Sequence, residues 1–206
     1  YIALVQTEGS NSPEEYGMDA AVGFPPFWRF SEIPWHQAAE LLDPKFHGTV
    51  RRYEDLARLT IARYREEKAV FPGIVPSWDN EARRPQRGAC FSGSTPALYG
   101  RWLRAACSNA LRKFSGDERL VFVNAWNEWA EGAYLEPDRH FGHAYLAETR
   151  RVLTSLEPDM SIESFDEAVR KPHKTTIRHR IRRSARLTLN FLANCAESFA
   201  WKLRGR

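Results

Sequence analysis

The sequence predicts an α/β fold followed by a separate basic segment, and three observations carry that reading. Short apolar runs alternate along the chain with stretches whose apolar residues recur at helical spacing, the pattern of strands and helices in alternation. The last of these runs, residues 120–125, is near-continuously apolar, as expected of a parallel strand covered on both faces. Charge then divides the chain. Residues 1–169 hold 19 Lys and Arg against 25 Asp and Glu, whereas residues 170–206 hold 11 against 1. The net charge of +4 hides two parts of opposite sign, which points to two parts with different work.

In chain order, residues 2–6 read as a short buried strand, and a polar stretch over 7–16 follows with a turn signal at Asn11-Ser12-Pro13. Residues 20–24 read as a second strand, stopped by Pro25-Pro26. Residues 27–50 are aromatic and irregular, with Trp28, Phe30, Trp35 and Phe46; so long a loop tends to be functional. The spacing of Tyr53, Leu56, Leu59, Thr60 and Tyr64 predicts a helix over 53–67. Residues 71–75 read as the third strand, ending at Pro76. Thr95 as N-cap and Pro96 at the first helical position open a helix whose apolar face carries Leu98, Trp102, Leu103, Ala106, Ala110 and Leu111. The fourth strand, 120–125, precedes a helix over 141–153, and Glu157-Pro158-Asp159 closes the compact part. The organisation is a domain over 1–158, a linker over 159–175 and a basic amphipathic helical tail over 176–206.

The chain opens at Tyr1 on an apolar run, the look of an internal strand, so the sequence reads as a fragment of a longer protein. No apolar run approaches the roughly 18 residues of a membrane span. Cys90, Cys107 and Cys195 are odd in number and lack CxxC or Cys/His spacing, which argues against zinc and a disulfide framework and for a reducing, cytoplasmic setting. The six His show no metal spacing and no glycine-rich phosphate loop is present, so no metal, cofactor or nucleotide is expected.

Chemistry concentrates in Val123-Asn124-Ala125-Trp126-Asn127-Glu128-Trp129-Ala130-Glu131-Gly132, where the last apolar strand runs out. On a continuing strand Glu128 and Glu131 would point to opposite faces. In a helical turn they become neighbours, about 5–6 Å apart at Cβ, a spacing that suits the paired carboxyls of a retaining glycosidase, about 5–5.5 Å apart. Trp126 and Trp129 can stack on sugar faces or raise a carboxyl pKa by excluding water. The plainer alternative is a solvated turn with two acids on it. A second cluster, Trp78-Asp79-Asn80 with Arg83, also follows a strand. Its polar groups suit sugar hydroxyls or an anion, or else form an Asx turn. Glu136 and Asp138, beyond Tyr134, read as ordinary loop residues or as outer supports of the site.

The run Asn124-Ala125-Trp126-Asn127-Glu128-Trp129-Ala130-Glu131-Gly132-Ala133-Tyr134-Leu135-Glu136-Pro137-Asp138 resembles the signature of WbsX-type proteins of lipopolysaccharide and polysaccharide biosynthesis. These are described as glycosyltransferases and are related to glycoside hydrolase family 99. Gly17-Met18-Asp19-Ala20-Ala21-Val22 with Phe24-Pro25-Pro26, Trp78-Asp79-Asn80 with Arg83-Arg84, and Ser94-Thr95-Pro96 with Tyr99 and Trp102-Leu103 agree in order and spacing over residues 1–155. The resemblance implies the C-terminal part of a (β/α)8 TIM-type barrel. It further implies that Glu128 is a base toward the substrate 2-hydroxyl and Glu131 a general acid and base at the glycosidic oxygen. One position departs: the residue before Phe-Pro-Pro, commonly Glu in the family, is Gly23. The implied function is cleavage or transfer of glycosidic bonds in O-antigen or other polysaccharide assembly. The catalytic candidates are Glu128 and Glu131. The substrate-binding candidates are Trp78, Asp79, Asn80, Arg83, Trp126, Asn127, Trp129 and Tyr134. The implied partner is a glycan or lipid-linked saccharide. The rival expectation is a barrel remnant that binds glycan or acts as a scaffold without catalysis.

In the tail, Ile177, Ile181, Ala185, Thr188, Leu192, Cys195, Phe199 and Leu203 recur at spacings of three and four, with five Arg interleaved between 178 and 186. Such a helix either lies on anionic lipid at the inner face of the membrane or docks on protein with its charges solvated. Nucleic acid is not expected as a partner, because the tail lacks an aromatic stacking pattern. Co-sedimentation with anionic vesicles separates the two readings. A lipid-binding tail makes the full chain, and not one truncated after residue 175, partition onto vesicles at low salt and release at high salt. Equal partitioning of both chains leaves the docked helix.

Overall fold

The computed structural model describes residues 1–7, 12–27, 30–37, 39–41, 43–64 and 70–156. The expected linker 159–175 and tail 176–206 lie outside the described residues, as does Trp28. The described residues form a mixed α/β structure of three α-helices and several small sheets, and no closed barrel forms among them.

Strand β1 (Ala3–Gln6) pairs in parallel with β2 (Ala20–Gly23), Ala3 opposite Ala20 and Gln6 opposite Gly23. After β3 (Thr49–Arg52) and helix α1 (Tyr53–Arg63) comes β4 (Val70–Phe71), parallel to β2. Strand β5 (Gly73–Ile74) continues the same run beyond Pro72, whose ring nitrogen cannot donate to a ladder and so divides the strand. The end of β2 crowds this point: a Cβ on Gly73 would overlap the carbonyl of Gly23.

A second sheet follows. Strand β6 (Trp78–Asp79) pairs antiparallel with β7 (Ala89–Ser92), and β7 pairs in parallel with β3. Helix α2 (Pro96–Lys113) leads to β8 (Phe122–Val123), which is parallel to β5. A short hairpin of β9 (Asn127–Glu128) and β10 (Ala133–Tyr134) then precedes helix α3 (Ala144–Thr154). Helix α1 lies between the parallel strands β2 and β4, and helix α2 between the parallel strands β5 and β8, which gives the mixed α/β character that the sequence predicts.

Helix α2 begins where its sequence dictates. The Thr95 hydroxyl accepts the Leu98 N–H at 3.2 Å, filling one orphan donor, and Pro96 needs no partner at the first position. Its buried face carries Tyr99, Trp102, Leu103, Ala106 and Ala110. Trp102 and Tyr53 meet edge to face at 5.6 Å, at the centre of a core that also holds Leu56, Ile74, Val75 and Tyr145. Polar tips in this core are hydrogen-bonded within it. The Tyr53 hydroxyl donates to the Val75 carbonyl at 2.6 Å, and the Trp102 indole N–H donates to the Tyr64 hydroxyl at 3.1 Å.

Three expectations need correction. The strand foreseen over 120–125 is only Phe122–Val123 and is not covered on both faces: Leu120 is 44% exposed and Phe122 42%. Its ladder partner is β5, and its other edge is unpaired among the described residues. The region 27–50 is not wholly irregular, since a 3-10 turn (Phe30–Glu32) and the start of β3 lie within it. Helix α1 ends at Arg63, with Tyr64 as its cap, so the expected extension to 67 runs into residues outside the described set. No helix among the described residues is long and apolar enough to cross a membrane.

The crowding at Gly73 is testable. Gly73→Ala must push β5 away from β2, and overpacking of this kind costs about 1–3 kcal/mol. Urea unfolding should show a lowered midpoint with an unchanged slope. An unchanged midpoint would mean that β2 and β5 do not approach as described.

Candidate active site

The site is assembled by two turns that face each other. The first follows β6. Asp79 Oδ1 accepts the Glu81 N–H at 2.9 Å, an Asx turn, and the Asn80 carbonyl accepts the N–H groups of Arg83 and Arg84, both at 3.1 Å. Asn80 is buried and its side-chain Oδ1 accepts the Ala89 N–H at 2.7 Å, so this amide closes the β6–β7 connection. Trp78 is 2% exposed, with its ring edge-on to Phe27 at 5.1 Å. Asp79 Oδ1 also accepts the Cys90 thiol at 3.1 Å. Burial, reinforced by Asp79, pushes that thiol up to about 12, which keeps it protonated and poorly nucleophilic.

The second turn is the tip of the β9–β10 hairpin. Ala133 lies opposite Glu128 and Tyr134 opposite Asn127, and a 3-10 turn (Trp129–Glu131) joins the strands. Gly132 closes it with a φ of 60°, a left-handed conformation that favours glycine. Glu128 and Glu131 stand three residues apart across this helical turn, not on a continuing strand. Both reach the Arg83 guanidinium: Arg83 Nη2 lies 2.9 Å from Glu128 Oε1, and Arg83 Nη1 lies 3.6 Å from Glu131 Oε1. Glu131 is the more buried of the two. Burial raises its pKa above the usual carboxylate range, against a lowering by Arg83 and with a further rise from Glu128.

Around the pair, Trp126 and Trp129 are 53% and 46% exposed. Trp129 stacks on Tyr134 at 3.7 Å between centroids and 14° between planes, and its indole N–H donates to Glu136 Oε2 at 2.5 Å. One face and the N–H of Trp129 are thus engaged by the protein. Asn127 is exposed in β9. Glu136 and Asp138, foreseen as loop residues or outer supports, act on this frame. Glu136 braces Trp129, while Asp138 accepts the His140 N–H at 2.7 Å and acts on the Tyr134 hydroxyl, whose pKa burial and Asp138 together raise.

The two turns are locked together by residues that sequence reasoning did not single out. Ser77 Oγ donates to the Gly132 carbonyl, and a Cβ on Gly132 would lie 2.9 Å from the Asp79 nitrogen. Glu81 ties the far end of the first turn by accepting the N–H groups of Gln86 and of Gly88, the latter at 2.9 Å. A separate apolar cavity of about 180 Å³ lies along the parallel strands between Val22, Ile74 and Val123; neither glutamate nor Trp78 or Asp79 lines it. Among the described residues no cluster of three or more His, Cys, Asp or Glu could hold a metal ion.

Comparison with known proteins gives this constellation a context. The model of the family described as glycosyltransferase WbsX matches residues 1–149. The chain is 40% identical over 164 residues to a protein named "Uncharacterized protein WxcX" from Xanthomonas campestris pv. campestris. The match covers 79% of this chain and 23% of that relative, and the protein of the same name in strain B100 stands at the same identity and coverage. The chain therefore spans about a quarter of the length of these curated relatives. No solved structure matches it.

The raised pKa of Glu131 has a thermodynamic consequence. The folded chain holds a proton that the unfolded chain has released, so ionising Glu131 withdraws stability as pH rises from the ordinary Glu range through the raised folded value. Glu131→Gln cannot ionise. The variant's melting temperature, relative to the parent, should therefore rise between about pH 4, near the ordinary Glu value, and neutrality. A constant offset between the two pH values would contradict this.

Proposed function

Because this chain belongs to the WbsX glycosyltransferase family, we propose that it carries the acid/base pair of a glycan-processing active site. In this reading Glu131 gives a proton to the glycosidic oxygen as the bond breaks, and Glu128 takes the proton of the sugar 2-hydroxyl as that oxygen attacks C1. The resulting 1,2-anhydro sugar is then opened by water or an acceptor hydroxyl, with Glu131 removing the acceptor's proton and Glu128 returning its own. Protons balance over the two steps, and no glycosyl–Glu bond forms. Water as acceptor gives hydrolysis, whereas a sugar hydroxyl gives transfer.

One observation carries the proposal: a helical turn brings Glu128 and Glu131 to one guanidinium, that of Arg83, with Glu131 partly desolvated and its pKa raised. A general acid needs a pKa raised toward the working pH, and partial burial supplies that. Exposed Trp126 and Trp129 offer π faces to the apolar faces of sugar rings. The parallel strands in chain order, with the hairpin beyond β8, support reading the chain as the later part of a (β/α)8 barrel, whose active sites sit at the C-terminal strand ends. The substrate class is a glycan or lipid-linked saccharide in polysaccharide assembly.

The test is kinetic and uses the complete protein. Glu131→Gln keeps shape and hydrogen bonding but has no proton to give, and positioned acid catalysis contributes on the order of 10²–10⁴-fold. Turnover should fall by that much with glycan binding retained, and Glu128→Gln should fall comparably. Wild-type turnover in both variants would remove the pair from catalysis. Binding without turnover in the parent protein would instead favour a glycan-binding remnant.

A further inference from the structure

We propose that Arg83 is the positioning residue of this site, a fixed guanidinium that ties Glu128 and Glu131 into one charge-linked pair. The proposal rests on the acid/base reading of the two glutamates and adds the group that holds them. Arg83 presents two different nitrogens to two different carboxylates, Nη2 to Glu128 at 2.9 Å and Nη1 to Glu131 at 3.6 Å. A planar fork can serve two acceptors at once in fixed relative positions, which a point charge cannot.

An ordinary surface ion pair gains little, because ordering two long side chains offsets the Coulomb attraction. Here the backbone beneath Arg83 is already fixed. Its own N–H is held by the Asn80 carbonyl, and Asn80 is buried and bonded to the Ala89 N–H. The opposite turn is held against the first by Gly132 packed on Asp79 and by the Ser77 hydroxyl on the Gly132 carbonyl. Arg83 therefore sits between two rigid loops, and its guanidinium spans 45 residues of sequence to reach Glu128.

The charge arithmetic is unbalanced, one cation against two carboxylates, and this makes Arg83 the control on Glu131. The ionisable groups that face the turn are Asp79 on β6, Arg83 after it, Glu128 on β9, Tyr134 on β10 and Glu136, which accepts the Trp129 indole N–H. Of these, Arg83 lowers the Glu131 pKa and Glu128 raises it, both against the larger effect of burial. Removing the guanidinium leaves burial and Glu128 unopposed.

Carboxyl-carbon NMR titration of the full chain labelled at Glu Cδ reads this without a substrate, with the Glu131 signal assigned by its loss in Glu131→Gln. Arg83→Met should move the Glu131 midpoint upward, Arg83→Gln should do the same with less change in packing, and Arg83→Lys, a point charge that cannot hold both carboxylates at once, should restore the original value only in part. Glu128→Gln should move it downward. A Glu131 midpoint unmoved or lowered in the folded Arg83→Met or Arg83→Gln variant overturns the assignment, because a merely structural arginine has no reason to shift it upward. Failure of the underlying reading looks different: the midpoint moves as stated, yet Glu131→Gln turns over like the parent.

Discussion

Gly132 packs against the backbone of Asp79 at a distance that leaves no room for a side chain, and it does so in a left-handed conformation with φ 60°. Any other residue there would meet the Asp79 nitrogen and pay for the backbone angle as well. Ser77 completes the contact through the Gly132 carbonyl. The rest of the site depends on this closeness. It sets the distance between the turn that carries Arg83 and the turn that carries the glutamates, and across that distance Arg83 meets both carboxylates. Widening it by a methyl group would separate charges that are unremarkable in isolation.

The core stands behind the contact. Ser77 and Trp78 follow directly on the β5 run, and that run is pinned by the polar tips of buried aromatics: Tyr53 on Val75 O and Tyr64 on Gly73 O. Trp78 itself is part of the core. Packing of α1 and α2 on β5 therefore reaches the site through three or four consecutive residues, a short route along rigid chain. The site in turn carries a cost. Glu131 is held where burial disfavours its ionised form, a local loss of stability of the kind that functional positions retain.

How much of this was legible in the sequence follows from the range of the forces involved. The start of α2 was legible because a capping Thr and a first-turn Pro act within four residues. The alternation of strand and helix was legible because periodicity reports burial. Strands β3, β6 and β7 were not, because they are two to four residues long and exist by virtue of partners far along the chain, Thr49 with Ala89 and Trp78 with Phe91. The apolar run at 120–125 shows what could be covered, not what covers it, and so Phe122 stands exposed. The spacing of Glu128 and Glu131 made their approach in a helical turn foreseeable. Their meeting with Arg83 was not foreseeable, since it follows from the Gly132–Asp79 contact. Nor could sequence separate Trp78, which is buried, from Trp126 and Trp129, which are exposed.

The claim at the centre of this account is that Glu128 and Glu131 act as one unit. Groups that act as a unit are grossly non-additive: once either is lost, the other has little left to contribute. The direct measurement is the turnover of the complete protein carrying Glu128→Gln and Glu131→Gln together, set beside each single variant. The account predicts a double variant about as slow as the slower single one. Losses that multiply would contradict it, since they would mean two carboxylates contributing independently rather than one pair.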